Sequence, residues 1–246
     1  MTSRVDQYRS ALRECADWPD YLRANSHLPG PRGNLELAEA VYQEGSRELF
    51  KSLIAGDSPH TAENTPGVFA VFCGILGLGR LLAEGDLDWL QTLRAYANDP
   101  RWRVREAVAM ALQKFGGADL GALLAQMRLW AEGTPLEQRA VVAALCEPSL
   151  LFNPAAVQAV LEILDRITDL LSRSQERKND DFRALRQTLG YGWSVTAAAD
   201  MAQGEAAMER WFASPDPDVR WLMRENLKKK RLERADPAWV EKWQGL

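Results

Sequence analysis

The sequence predicts an all-α protein, an α-solenoid of stacked antiparallel helical pairs in which residues 1–246 form one domain. Three observations carry that expectation. Apolar residues recur at spacings of three and four along most of the chain, the period of a helix with one buried face, and no alternating run reaches strand length. A capping residue is followed by proline six times: Thr65-Pro66, Asp99-Pro100, Thr134-Pro135, Asn153-Pro154, Asp216-Pro217 and Asp236-Pro237. The capping oxygen accepts from first-turn N–H groups, and proline suits the first helical position because an N–H there has no partner to lose. Segments of related sequence also recur, and stacking such units buries apolar faces that one helix pair leaves open.

From the N-terminus, helices are expected over residues 3–16 and 19–25, followed by a Pro/Gly-rich turn from Leu28 to Asn34 and helices over 34–44 and 46–55. Residues 56–64 read as a polar loop, and residues 1–64 as the less regular part of the domain. The run from Val68 to Ala83 is the most apolar in the chain. Arg80 and three glycines interrupt it and it is short for a bilayer, so it reads as a buried helix within 66–84. Helices then follow over 86–97, 100–115, 118–132, 135–146, 154–173, 181–199, 204–213, 217–231 and 237–243. The loops between them are short, which makes sequential helices antiparallel neighbours.

Some of these helices repeat. With Val104 over Val219, Pro100 falls over Pro215, Arg105 over Arg220 and Leu112 over Leu227. A further shift of 34 places Arg105 over Arg139 and Ala109 over Ala143. The run from Asp99 to Leu112, with its Asp-Pro opening, Val104-Arg105 pair and alanine-rich face, resembles the second helix of HEAT repeats. The likeness covers residues 86–146 and 203–231, and it implies a superhelix whose second helices line a concave face.

Trp102 with Arg105, and the segment from Asp218 to Leu227, are also similar to the HEAT-like family of DNA alkylation-repair glycosylases. That resemblance implies a surface of Trp and Arg engaging damaged DNA. No aspartate matches the family's catalytic position by motif, so no catalytic residue is carried over.

Composition narrows the function classes. A net charge of -4 is opposite in sign to that of most proteins living on the nucleic-acid backbone. The N-terminus has no apolar core of a signal peptide, and three distant cysteines, Cys15, Cys73 and Cys146, suit buried thiols in a cytoplasmic protein better than disulfides. His27 and His60 stand in expected loops without ligand-spaced partners, so no metal and no cofactor is expected. Glycine-rich phosphate motifs are missing, and the aspartates at helix starts read as caps. Asp165 is different, a carboxylate in mid-helix among apolar residues.

Nine tryptophans and a set of helix-borne arginines remain. The candidate concave-face residues are Trp102, Arg105, Arg139, Arg186, Trp193, Arg220, Trp221, Arg224 and Lys228, each with an alternative reading as core or as a structural Arg–Asp ladder. Seven cations between Arg220 and Arg234 face only Glu225 and Glu233, as a solvated helix end or a dock for an anion. The function expected is non-enzymatic binding of a protein or peptide partner, away from membranes. The alternative is a DNA-lesion-binding protein or alkylpurine glycosylase-like enzyme.

Overall fold

Side-chain caps account for most helix starts. The computed structural model describes residues 3–58 and 60–245, and among these it is all-helical: 76% helix, fifteen α-helices and no strand. Five of the six cap-proline pairs open a helix with proline in its first turn. Thr134, Asn153, Asp216 and Asp236 accept first-turn N–H groups as expected, whereas the Thr65 hydroxyl donates to Ala62 O at 2.8 Å. Asp99-Pro100 is the exception: its helix begins at Trp102, because the Asp99 carboxylate is engaged by Arg101 instead.

The chain divides into two compact units, one ending at Ala118 and the other starting at Asp119. The first contains α1 (Arg4–Glu14), α2 (Trp18–Ala24), α3 (Leu35–Glu44), α4 (Arg47–Ala55), α5 (Pro66–Ala83), α6 (Trp89–Ala97) and α7 (Trp102–Ala118). Its axis is α5, which packs on α2, α3, α4, α6 and α7. By length and apolarity α5 would pass for a membrane span, longer than the Val68–Ala83 run suggested, but 78% of it is buried in the unit, the setting of a core helix. Glycines permit that packing. A Cβ on Gly77 would lie 2.1 Å from Phe50 Cδ1, and one on Gly79 would lie 2.5 Å from the Ala111 carbonyl oxygen of α7.

The second unit contains α8 (Leu120–Trp130), α9 (Pro135–Leu145), a 3-10 turn (Pro148–Leu150), α10 (Pro154–Arg173), α11 (Asp180–Ala199), α12 (Met201–Phe212), α13 (Pro217–Leu227), α14 (Lys230–Ala235) and α15 (Pro237–Gln244). Here α11 is the axis, in contact with α9, α10, α12, α13 and α14. Asn226 of α13, fully buried, donates to Leu189 O at 2.8 Å and accepts from Ser194 N at 2.8 Å, both in α11.

The single helix expected over 217–231 is two helices, with a break at Lys228 and Lys229. Leu227 and Leu232 are both buried, yet five residues on one straight helix would turn them well apart. The break turns α14 so that Leu232 also faces inward, and it interrupts a run of four adjacent cations, Lys228 to Arg231.

Candidate functional site

The start of α7 is electrostatically unusual. Arg101 and Arg103 stand where the helix dipole disfavours cations. Acids from elsewhere in the unit compensate. Arg101 pairs with Asp57 at 2.7 Å and Asp99 at 2.6 Å, and the three side chains are only 8%, 13% and 12% exposed. Glu63 caps the helix from the preceding loop, accepting from Trp102 N at 2.9 Å and from Arg103 N at 3.0 Å.

Arg103 is left over. It is 7% exposed, and no carboxylate among the described residues lies within ion-pair distance of its guanidinium. Nη2 donates to Gly30 O at 2.9 Å and to Asn64 Oδ1 at 3.3 Å, stapling the α2–α3 connection. Asn64 Oδ1 also accepts from Gly30 N at 3.0 Å. A Cβ on Gly30 would strike His27 O at 2.4 Å, so the tight loop that Arg103 holds requires glycine there. The Arg103 Nε is buried without a partner, which costs about 1–3 kcal/mol for a buried donor.

This arginine lines a cavity of about 300 Å³ bounded by the α2–α3 connection, α5 and α7. Leu28, Leu35, Phe69, Phe72 and Trp102 supply apolar and aromatic surface, with the two phenylalanine rings stacked 6.3 Å apart. Arg32, Arg103 and Glu106 are the charged lining groups. Trp102 is 44% exposed, with the Arg103 guanidinium 4.4 Å from its ring centre. The site thus offers a part-exposed indole with Arg103 over one face, an apolar floor and a buried cation lacking a carboxylate.

The residues expected on a binding face have varied placements. Trp102 lines the cavity, and Arg105 of the same helix is half-buried, donating to the carbonyls of Asp99 and Pro100 at 2.6 and 2.7 Å. Arg220 makes the same contact in the second unit, donating to Ser214 O and Pro215 O at 2.9 and 2.8 Å. Arg186 binds Asp218 and stacks on Trp221 at 4.2 Å, so one face of that indole is covered. Trp193 belongs to the core rather than to any binding face: it is fully buried, with Nε1 donating to Thr168 Oγ1 at 3.0 Å, as expected of the middle of the axial helix. Arg139 is half-buried on α9, Arg224 is exposed, and exposed Lys228 pairs with Glu225.

The remaining reactive groups have structural settings. Asp165 accepts from Arg210 at 2.8 Å and from the Trp211 indole at 2.9 Å. Burial pushes the Cys73 thiol far up and that of Cys146 up to about 12, which suppresses the reactive thiolate at neutral pH. His27 and His60 lie between helices, and no cluster of three metal-ligating side chains occurs among the described residues.

Sequence reasoning passed over Arg103, Arg32, Glu106 and the two phenylalanines. The one signal available for Arg103 was its sign, since a cation in a helix's first turn calls for a compensating partner. Comparison of the chain with protein-family models and with curated proteins found no match.

Proposed function

We propose that this chain is a non-enzymatic binding protein that captures a segment of a protein partner in the Trp102–Arg103 cleft. A single observation carries the reading: a buried guanidinium without a carboxylate, set beside an aromatic plane and an apolar floor. An incoming acceptor would satisfy a donor that the chain itself leaves unpaired, and apolar groups would cover exposed indole. The matched carbonyl contacts of Arg105 and Arg220 support the further reading of both units as HEAT-like helical pairs of a solenoid. A photo-crosslinking residue at position 32 tests the function. Protein crosslinks in the native cell that vanish in Trp102→Ala, with none from a crosslinker at the exposed position 129, are the expected result. Equal labelling from both positions would sink it.

A second reading rests on the exposed cations of α13, α14 and the break between them, Arg224, Lys228, Lys230, Arg231 and Arg234. Such a strip favours an anionic partner such as DNA. Titration of an alkylated and an undamaged duplex at low and physiological salt examines it. The cleft reading expects no submillimolar binding, and steep salt-dependent binding weakened by Arg231→Ala would put DNA first.

A further inference from the structure

The cleft has features that together specify one chemical class of ligand. Its volume of about 300 Å³ is at the low end for ligand pockets, room for one residue-sized group rather than a cofactor. Six of its lining side chains, Leu28, Pro31, Leu35, Phe69, Phe72 and Trp102, are apolar or aromatic. Arg103 contributes a planar fork with Nε unpartnered and only Nη2 bonded, the geometry that suits a carboxylate. Glu106, one helical turn along α7, lines the same cavity and offers an acceptor there without pairing with that cation. Its negative charge offsets one of the two lining cations, Arg32 being exposed and paired with Glu36 at 3.8 Å, so the cavity suits a monoanion that presents an N–H next to its carboxylate better than a dianion such as phosphate.

We propose that the cleft takes an apolar residue bearing a free α-carboxylate, supplied under the reading above by the C-terminal residue of the partner chain. The carboxylate meets Arg103, the backbone N–H on the same Cα meets Glu106, and the side chain lies on Phe69, Phe72 and Trp102. An internal Asp or Glu next to an apolar residue would spread the same groups over two residues, more than the cavity admits. The inference rests on the cleft as the binding site and adds the identity of what enters it.

The test uses the full chain and N-terminally labelled Gly/Ser heptapeptides ending in Phe, Leu or Val. Each is made as the free acid and as the C-terminal amide, and free Phe and Leu compete. The acid is expected to bind at least about tenfold more tightly than the amide, the scale of one charge-assisted hydrogen bond. Arg103→Gln should bring that ratio close to one, while Arg103→Lys keeps part of it. Trp102→Ala should weaken acid and amide together and leave the ratio intact, a pattern that a folding defect at Arg103 would not produce. Equal binding of acid and amide overturns the carboxylate assignment and leaves the protein-partner reading standing. Binding of free Phe or Leu without binding of the peptide acids keeps the carboxylate chemistry and overturns the partner reading. No binding of any probe overturns the inference.

Discussion

The two units solve the same packing problem with opposite charges. In the first, α7 packs on axial helix α5; in the second, α13 packs on axial helix α11. The Val-Arg pairs of α7 and α13 align, and Arg105 and Arg220 bind carbonyls six and five residues upstream in both. Two positions nearby are inverted. Arg101 and Arg103, at the start of α7, stand where the start of α13 has Asp216 and Asp218. The aspartates agree with the helix dipole and are met by Arg177 and Arg186, so the charges at this helix start close among themselves. The arginines oppose the dipole: Arg101 takes Asp57 and Asp99, Glu63 caps the backbone N–H groups, and the Arg103 guanidinium is left without a carboxylate. Charge imbalance at one helix start therefore separates a candidate site from a structural copy of it.

The axial contact differs as well. Ala111 and Asn226 are equivalent, and each touches its axial helix. The first contact is bare backbone against Gly79; the second is a side chain hydrogen-bonded to helix backbone.

The largest expected effect tests the charge inversion. Arg101→Ala strands two carboxylates only 13% and 12% exposed and should cost up to about 3–5 kcal/mol, read by urea denaturation. Asp218→Ala should cost less, below about 2 kcal/mol, because Arg177 and Arg186, each 29% exposed, regain water. Equal losses would break the comparison. Next in size is the axial contact. Gly79→Ala drives a methyl into Ala111 backbone and should cost about 1–3 kcal/mol or more. Asn226→Ala should cost a similar amount, about 1–3 kcal/mol, by leaving Ser194 N and Leu189 O to find other partners. Ala111→Asn, although it copies the second unit, should destabilise the first, since no space exists opposite Gly79.

Arg105→Met and Arg220→Met should each lower stability by about 1–2 kcal/mol through lost bonds to carbonyls. Closely similar melting shifts would sharpen the structural equivalence, and a loss confined to one variant would count against it. The smallest effect is a matter of pH in the first unit. Hydrogen bonds from Arg13 and Arg9 hold Glu44 down to about 2 from its ordinary 4.5. A depressed carboxylate stabilises the fold above its unfolded value, and that contribution is lost as pH falls from about 4.5 through about 2. Arg13 is well exposed, so screening keeps the gain within about 1 kcal/mol. In Glu44→Gln the stability difference from the parent should shrink across that window, and a constant difference would refute the linkage.

Local chemistry made most of the helices legible in advance. Asn153 and Pro154 open α10 at the expected residue, and the apolar period carries it to Arg173 as expected. Boundaries failed where a distant side chain intervened. Asp99 is a good cap by type, but Arg101 competes for its carboxylate, and the cap of α7 comes from Glu63, 39 residues before Trp102. The split after Leu227 followed the burial of Leu232, a tertiary demand that periodicity along one axis does not contain.

Tryptophan and arginine could be picked out by type, but their roles depended on neighbours far away in sequence. Trp193 and Trp102 both lie on amphipathic helices; one is core and the other lines a cleft because α11 is surrounded and the first turn of α7 is not. What the sequence by itself determined is the all-helical character, since propensity, capping and apolar period act within a few residues of each other. What only the tertiary structure decided is which charges close. Asp57 reaches Arg101 and Asp216 reaches Arg177 across 44 and 39 residues of chain, while the Arg103 guanidinium finds only one backbone carbonyl and one side-chain amide. Ion pairing depends on distances of a few ångströms in three dimensions, and sequence separation does not report them.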